Sequence, residues 1–129
     1  MASCVIDTSA VFVDLQNERG AEEARKWLRD AAISAANLHE VVAKALDKGV
    51  PENRVPELIE KLRLTVHALD GAQALGGGLL RAATRAKGLG LGDRACLALA
   101  RRLGLPAVTA DRSWAEIADE IGVEVVLVR

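Results

Sequence analysis

The chain predicts an α/β fold in which a short, mostly parallel sheet carries helices on both faces. Three observations lead there. Short apolar or β-branched runs (Cys4–Ile6, Ala32–Ser34, Leu64–Leu69, Pro106–Thr109, Val123–Val128) alternate with longer amphipathic stretches, and strands that alternate with helices join most simply as parallel crossovers. Half of the residues are apolar, yet only one Phe and two Trp occur. Ala, Leu, Val and Ile must therefore fill the core, which favours close helix packing. Finally, 129 residues suit a single domain, 1–129, that buries roughly two-thirds of its unfolded surface without disulfides or a structural metal.

Cys4–Ile6 is the first strand, and Thr8-Ser9 follows Asp7 as a turn into VFVDL. Glu22–Asp30 reads as a charged amphipathic helix, acids early and bases late, as the helix dipole favours. Ala32–Ser34 is a minimal second strand. A helix runs from Asn37 to Lys48 and stops at Gly49, with Leu38, Val41, Val42, Ala45 and Leu46 as its buried stripe. Pro51-Glu52 opens the next helix, to about Leu62; Pro56 is tolerable only in its first turn.

Leu64–Leu69 alternates as a strand. Asp70 caps a helix that continues to Lys87 across Gly76-Gly77-Gly78, where each Gly costs ~1 kcal/mol relative to Ala. Either the helix breaks there or another backbone packs closely against it. Asp93 begins a helix that ends at Gly104, with Arg101 and Arg102 in its last turn. Pro106–Thr109 is a strand, Trp114–Ile121 a helix and Val123–Val128 the closing strand. No repeat, linker or low-complexity segment interrupts the pattern.

Composition narrows the function. No run approaches the ~20 apolar residues that span a bilayer, and MASCVIDTSA lacks a signal peptide's basic head, so the chain reads as a protein of the cytoplasm without a membrane partner. Cys4 and Cys96 show neither paired nor metal-ligand spacing and read as buried thiols in a reducing compartment. Net charge is −1, but Leu79–Arg102 holds six basic residues (Arg81, Arg85, Lys87, Arg94, Arg101, Arg102) against one acid, Asp93. That is either a solvated helix face or a rim that contacts phosphates.

Four acids stand where the chain changes structure or turns a face to solvent: Asp7 in VIDTSAV, Glu40 in SAANLHEVV, Asp93 in LGDRACLALARRLG and Asp111 in LPAVTADRSW. Residues just past the carboxyl ends of parallel strands converge on one crevice. Carboxylates at ~4 Å repel by up to ~4 kcal/mol per pair at an effective dielectric of ~20. A hard divalent cation removes that penalty and prefers oxygen ligands. The quartet therefore reads as a metal site. The plainer alternative makes Asp7, Asp93 and Asp111 ordinary helix N-caps. Periodicity alone places Glu40 on the surface, paired with Lys44 four residues on, although Ala36 and Ala43 beside it leave room for a cleft.

Other motifs fail. Gly88-Leu89-Gly90-Leu91-Gly92 follows a helix and has the wrong spacing for a dinucleotide fingerprint, and no GxxxxGK[ST] loop occurs. His39 and His67 lack metal spacing, and Ser9 and Ser113 lack a nucleophile-elbow context. A haloacid-dehalogenase type of phosphoryl transfer from Asp7 would need a second Asp where Ser9 stands.

Together, VIDTSA, SAANLHEV, LGDRACLALARRLGLP and VTADRSW resemble the PIN-domain nucleases, most closely the VapC-type toxins of bacterial toxin–antitoxin pairs. The resemblance spans nearly the whole chain, with the LGDRACLALA…LPAVTADRSW block as its most specific part. It implies a three-layer α/β/α sandwich and a metal-dependent endoribonuclease that cleaves single-stranded or looped RNA. By resemblance, Asp7, Asp93 and Asp111 hold Mg²⁺ or Mn²⁺ directly or through water, and Glu40 binds a second ion or orients the attacking water. Ser9 and Thr109 match small polar positions that support the site, and Arg81, Arg85, Arg94 and Arg112 are the candidates for contacting RNA phosphates. A cognate VapB-type antitoxin and a homodimer are the implied partners. Gly90 departs from the Ser that is frequent before LGD, and Gly76–Gly78 is unusual for its helix. The alternatives are a PIN nuclease of RNA processing or quality control, and a PIN binding module with a degenerate site.

Overall fold

The first strand of the sequence is the middle strand of the sheet. In the computed structural model, which describes residues 1–129, β1 (Cys4–Ile6) pairs with β2 (Ala31–Ser34) on one side and with β4 (Ala107–Thr109) on the other. The edges are β3 (Thr65–His67) and β5 (Val125–Leu127), in the order 3-2-1-4-5. Every pairing is parallel, so the sheet goes beyond the mostly parallel one expected. β1 is buried throughout, as a strand covered on both faces must be.

Eight helices supply that cover: α1 (Thr8–Leu15), α2 (Ala21–Leu28), α3 (Ala35–Asp47), α4 (Val55–Leu62), α5 (Gly71–Leu79), α6 (Arg81–Thr84), α7 (Leu91–Leu103) and α8 (Ala118–Ile121). Alternate strand residues serve opposite cores, following the two-residue period of a strand. Cys4, Ile6, Ile33 and Val108 pack with Val11, Ala24 and Val41 of α1, α2 and α3. Val5, Ala32 and Ala107 face the other way, onto Cys96 and Leu99 of α7 and onto Trp114. The result is three layers.

Several boundaries move, each for a visible reason. VFVDL belongs to α1, which Thr8 opens, and Val11 and Val13 are buried despite the β-branching that argues against helix. The helix expected from Asp70 to Lys87 is broken: α5 ends at Leu79, buried Leu80 links it to α6, and Arg85–Lys87 is a 3₁₀ turn. Close packing does not account for the glycines Gly76–Gly78, since a Cβ would fit at each of them. A Cβ on Gly77 would lie 3.6 Å from the Arg94 carbonyl oxygen in α7, whereas Gly76 and Gly78 meet nothing within 4 Å. α7 starts at Leu91, ahead of Asp93, with Gly90 as its N-cap. Trp114–Ile121 is a 3₁₀ turn (Arg112–Glu116) followed by the short α8. Pro56 does fall in the first turn of α4.

This topology locates the crevice. From β1 the chain adds β2 and β3 on one side, then crosses to add β4 and β5 on the other. The direction reverses between β1 and β4, and at such a switch point the loops beyond the strand ends part and leave a cleft. Asp7 and Asp111 lie just beyond the carboxyl ends of those two strands.

Candidate active site

Asp7 follows β1 directly. Its backbone N–H donates to the Val108 carbonyl at 2.9 Å, which continues the ladder, and its side chain is buried. It occupies the N-cap position of α1 but makes no side-chain capping bond there. Instead Oδ2 accepts from Ser9 Oγ at 2.6 Å and Thr109 Oγ1 at 2.9 Å. Ser9 Oγ accepts the Ala110 N–H and Thr109 Oγ1 accepts the Asp111 N–H. Each hydroxyl thus gives its single proton to Asp7 and takes an amide from the chain beyond β4. One carboxylate oxygen ties the two strand ends together and leaves Oδ1 for a ligand. Burial pushes the Asp7 carboxyl up to about 6, the Ser9 and Thr109 hydroxyls oppose that rise, and the charge of Asp93 adds to it.

Asp93 is the third residue of α7, and its Oδ2 accepts the Gly90 N–H at 2.9 Å. That bond closes an otherwise unpaired donor at the helix start. The capping role weighed for Asp93 is therefore real, exercised from inside the helix. Its carboxyl is raised by burial, lowered by the Gly90 N–H, raised again by Glu40 and Asp111, and lowered by Lys44. Asp111 caps the 3₁₀ turn after β4, with Oδ1 accepting both Ser113 N–H at 2.9 Å and Ser113 Oγ at 2.7 Å. Capping and membership of the acidic cluster coexist, because each carboxylate has a second oxygen.

Glu40 is where periodicity misleads. The buried line of α3 is Asn37, Val41 and Ala45, and Leu46 is 43% exposed. Glu40 therefore borders the packed face; it is partly buried and forms no ion pair with Lys44. Its Oε1 accepts from Thr8 Oγ1 at 3.0 Å and from Asn37 Nδ2 at 3.3 Å. Room for the carboxylate comes from Gly92: a Cβ there would overlap it. Ala36 does line an open cleft beside Glu40, together with His39, Leu69, Leu91 and Gly92, but Ala43 does not.

The topology and these bonds bring Asp7, Glu40, Asp93, Asp111, Ser9 and Thr109 to one end of the sheet. The arginines are scattered. Arg81 and Arg85 are exposed on α6 and the turn after it, and Arg81 Nη1 donates to the Leu89 carbonyl at 3.4 Å. Arg112 Nη1 donates to the Arg129 carbonyl at 3.0 Å. Arg94 adjoins Asp93, with its Nε buried and unpartnered. None of the four forms an ion pair with the acids. Sequence reasoning missed Thr8, Asn37 and Gly92. Asn37 carried a signal, a polar residue three before Glu40 on the same helix, whereas Gly92 was indistinguishable from its neighbouring glycines.

As placed, no three of these side chains stand close enough to hold an ion between them. The donor set nevertheless fits a hard divalent cation, since every group is a carboxylate or hydroxyl oxygen. Asp7 and Asp93 also show the raised carboxyls of acids buried near like charge without a counter-ion.

The PIN domain family model matches residues 4–120. No curated protein matches the chain in sequence. Among solved structures, the chain is similar to one described as DNA-bound VapBC from Salmonella typhimurium (24% identity, all of both chains covered, TM-score 0.74). A toxin–antitoxin complex from Klebsiella pneumoniae gives 22% identity over 98% of each chain, with a TM-score of 0.75. FitAcB from Neisseria gonorrhoeae gives 19% over 97% of each, with a TM-score of 0.69. At these identities the likeness speaks for the fold, which agrees with the parallel sheet and its two helical layers. With a family match that runs from β1 into α8 and takes in all four acids, the chain belongs to the PIN-domain family.

Proposed function

We propose that this protein is a metal-dependent endoribonuclease and the toxin of a VapBC-type pair, cleaving single-stranded or looped RNA in the cytoplasm. The observation that supports this reading is that Asp93 is charge-coupled to Asp7, Glu40 and Asp111 near the β1–β4 switch point, in a PIN-domain chain. Asp7, Asp93 and Asp111 would hold Mg²⁺ or Mn²⁺, with Glu40 holding a second ion or orienting water. Bound there, a divalent cation neutralises charge that builds on the phosphate and makes water a better nucleophile. The chain's own part is to fix the acids. Ser9 and Thr109 hold Asp7 by one oxygen, Gly90 and Ser113 do the same for Asp93 and Asp111, and Thr8 and Asn37 hold Glu40.

Partners follow from the same reading. Solved structures of similar fold are described as VapBC or toxin–antitoxin complexes, which supports a small VapB-type antitoxin for this chain. A homodimer would cover exposed Leu75, Leu79 and Leu91, at 66%, 73% and 64%. Arg81, Arg85, Arg94 and Arg112 remain the proposed phosphate contacts. No helix is long and apolar enough to cross a membrane, and both cysteines are free and buried.

The test pairs cleavage with toxicity. Asp7→Ala should abolish RNA cleavage by the pure protein with Mn²⁺ and growth arrest on induced expression. Glu124→Ala, an exposed acid beside β5, should do neither. Wild-type protein that cleaves nothing in a total cellular RNA pool would leave a PIN binding module as the reading. Cleavage without growth arrest would favour a nuclease of RNA processing.

A further inference from the structure

Asn37 is fully shut from solvent, and its surroundings fix which way its amide points. Nδ2 donates to the Gly92 carbonyl at 3.0 Å, and lies 3.3 Å from Glu40 Oε1 and 3.4 Å from Thr8 Oγ1. The other orientation would turn a carbonyl onto the Gly92 carbonyl and the Glu40 carboxylate. Oδ1 accepts nothing. The unmatched carbonyl is a cost that an apolar side chain of similar size would not carry. Packing therefore does not explain Asn37, and its donor does. Gly92 is peptide-bonded to Asp93, so a single NH₂ group joins the helix that carries Glu40 to the backbone that carries Asp93. Those carboxylates repel, and Gly92 lacks the Cβ that would force them apart.

We infer that Asn37 is a positioning residue that sets the spacing between Glu40 and Asp93 by bonding Glu40 Oε1 and the Gly92 carbonyl at once; this rests on the nuclease reading above. Removing the donor frees α3 and the first turn of α7 to separate, and the oxygens that would share a cation drift out of reach of one another. Thr8 bonds the same Glu40 oxygen at 3.0 Å, beside the Asn37 amide, but has no bond to the backbone of α7.

The experiment is a double-mutant cycle. Asn37→Leu and Asn37→Ser are each made alone and with Glu40→Ala. Calorimetric titration with Mn²⁺ alone, RNA turnover, and melting in chelator are then compared. Asn37→Leu is expected to lose about tenfold or more in Mn²⁺ affinity and in kcat, with KM nearly unchanged, as partners that orient metal ligands usually do. Its melting temperature in chelator should equal or exceed that of wild type. In the Glu40→Ala background the same change should add little, because residues that act through one another are not additive. Losses that multiply independently of Glu40, or full Mn²⁺ affinity in Asn37→Leu, would overturn the inference. If Asn37→Leu does not fold, Asn37→Ser decides through the same cycle. Failure of the parent reading is separate, because it is read from the wild type alone, as no Mn²⁺ uptake and no cleavage.

Discussion

Gly92 and Glu40 occupy complementary space across the α3–α7 interface. A Cβ built on Gly92 falls 2.5 Å from Glu40 Cδ and 2.7 Å from Oε2, with Oε1 nearer still. The obstacle is the far end of a flexible side chain rather than backbone, so the fold can absorb a methyl group while the site cannot. Gly92→Ala should therefore keep or raise the melting temperature, since Ala improves on Gly in a helix by up to about 1 kcal/mol. Cleavage should fall by about tenfold or more as the Glu40 carboxylate is displaced. Melting curves and RNA turnover on the same preparation check both halves.

Asp7 makes metal-free stability depend on pH in an unusual direction. Its folded carboxyl titrates at about 6 against an ordinary 3.8, so between those values the folded chain holds more protons than the unfolded one. Its contribution is then most favourable below the ordinary value and is lost as pH rises through about 6. Asp7→Asn removes that dependence. In chelator, the variant should be more stable than wild type at pH 7, and the difference should shrink steadily toward pH 4. Urea melts across that range measure it; a difference that grows on acidification would contradict the assignment.

Cation binding should reverse that penalty. Added Mn²⁺ is expected to raise wild-type stability by mass action, about 2.7 kcal/mol at a hundredfold excess over Kd. Asp93→Asn keeps an oxygen for the Gly90 N–H that Asp93 now accepts, so its metal-free fold should persist. Most of the Mn²⁺ gain should disappear. A thermal-shift titration of the two proteins is sufficient.

Arg81 and Arg85 are exposed and carry no ion pair, which leaves their charge free for an anionic partner. Changing both to Ala should weaken RNA binding across sequences. Each lost phosphate contact should lower the slope of log K against log salt by about 0.7 for a single strand. An unchanged affinity and slope in a salt series would return them to a solvated face.

What the chain determined by itself was local. Alternating apolar runs marked five strands, Gly49 and Gly104 marked helix ends, and Asp7, Asp93 and Asp111 showed their place at element junctions, because caps, turns and periodicity act over a few residues. The tertiary structure decided the rest. The depth of Glu40 depends on a glycine 52 positions away at Gly92, and helical periodicity holds no term for what the facing element leaves out. The break after Leu79 and the burial of Leu80 follow from packing against α7, which overrides a helical pattern that reads as continuous. Asp7's raised carboxyl likewise depends on groups distant in sequence: burial and the charge of Asp93 raise it, while the Thr109 hydroxyl, 102 residues away in sequence but 2.9 Å away in space, opposes the rise. Burial and like charge act through space, and only the parallel pairing of β1 with β4 puts those groups together.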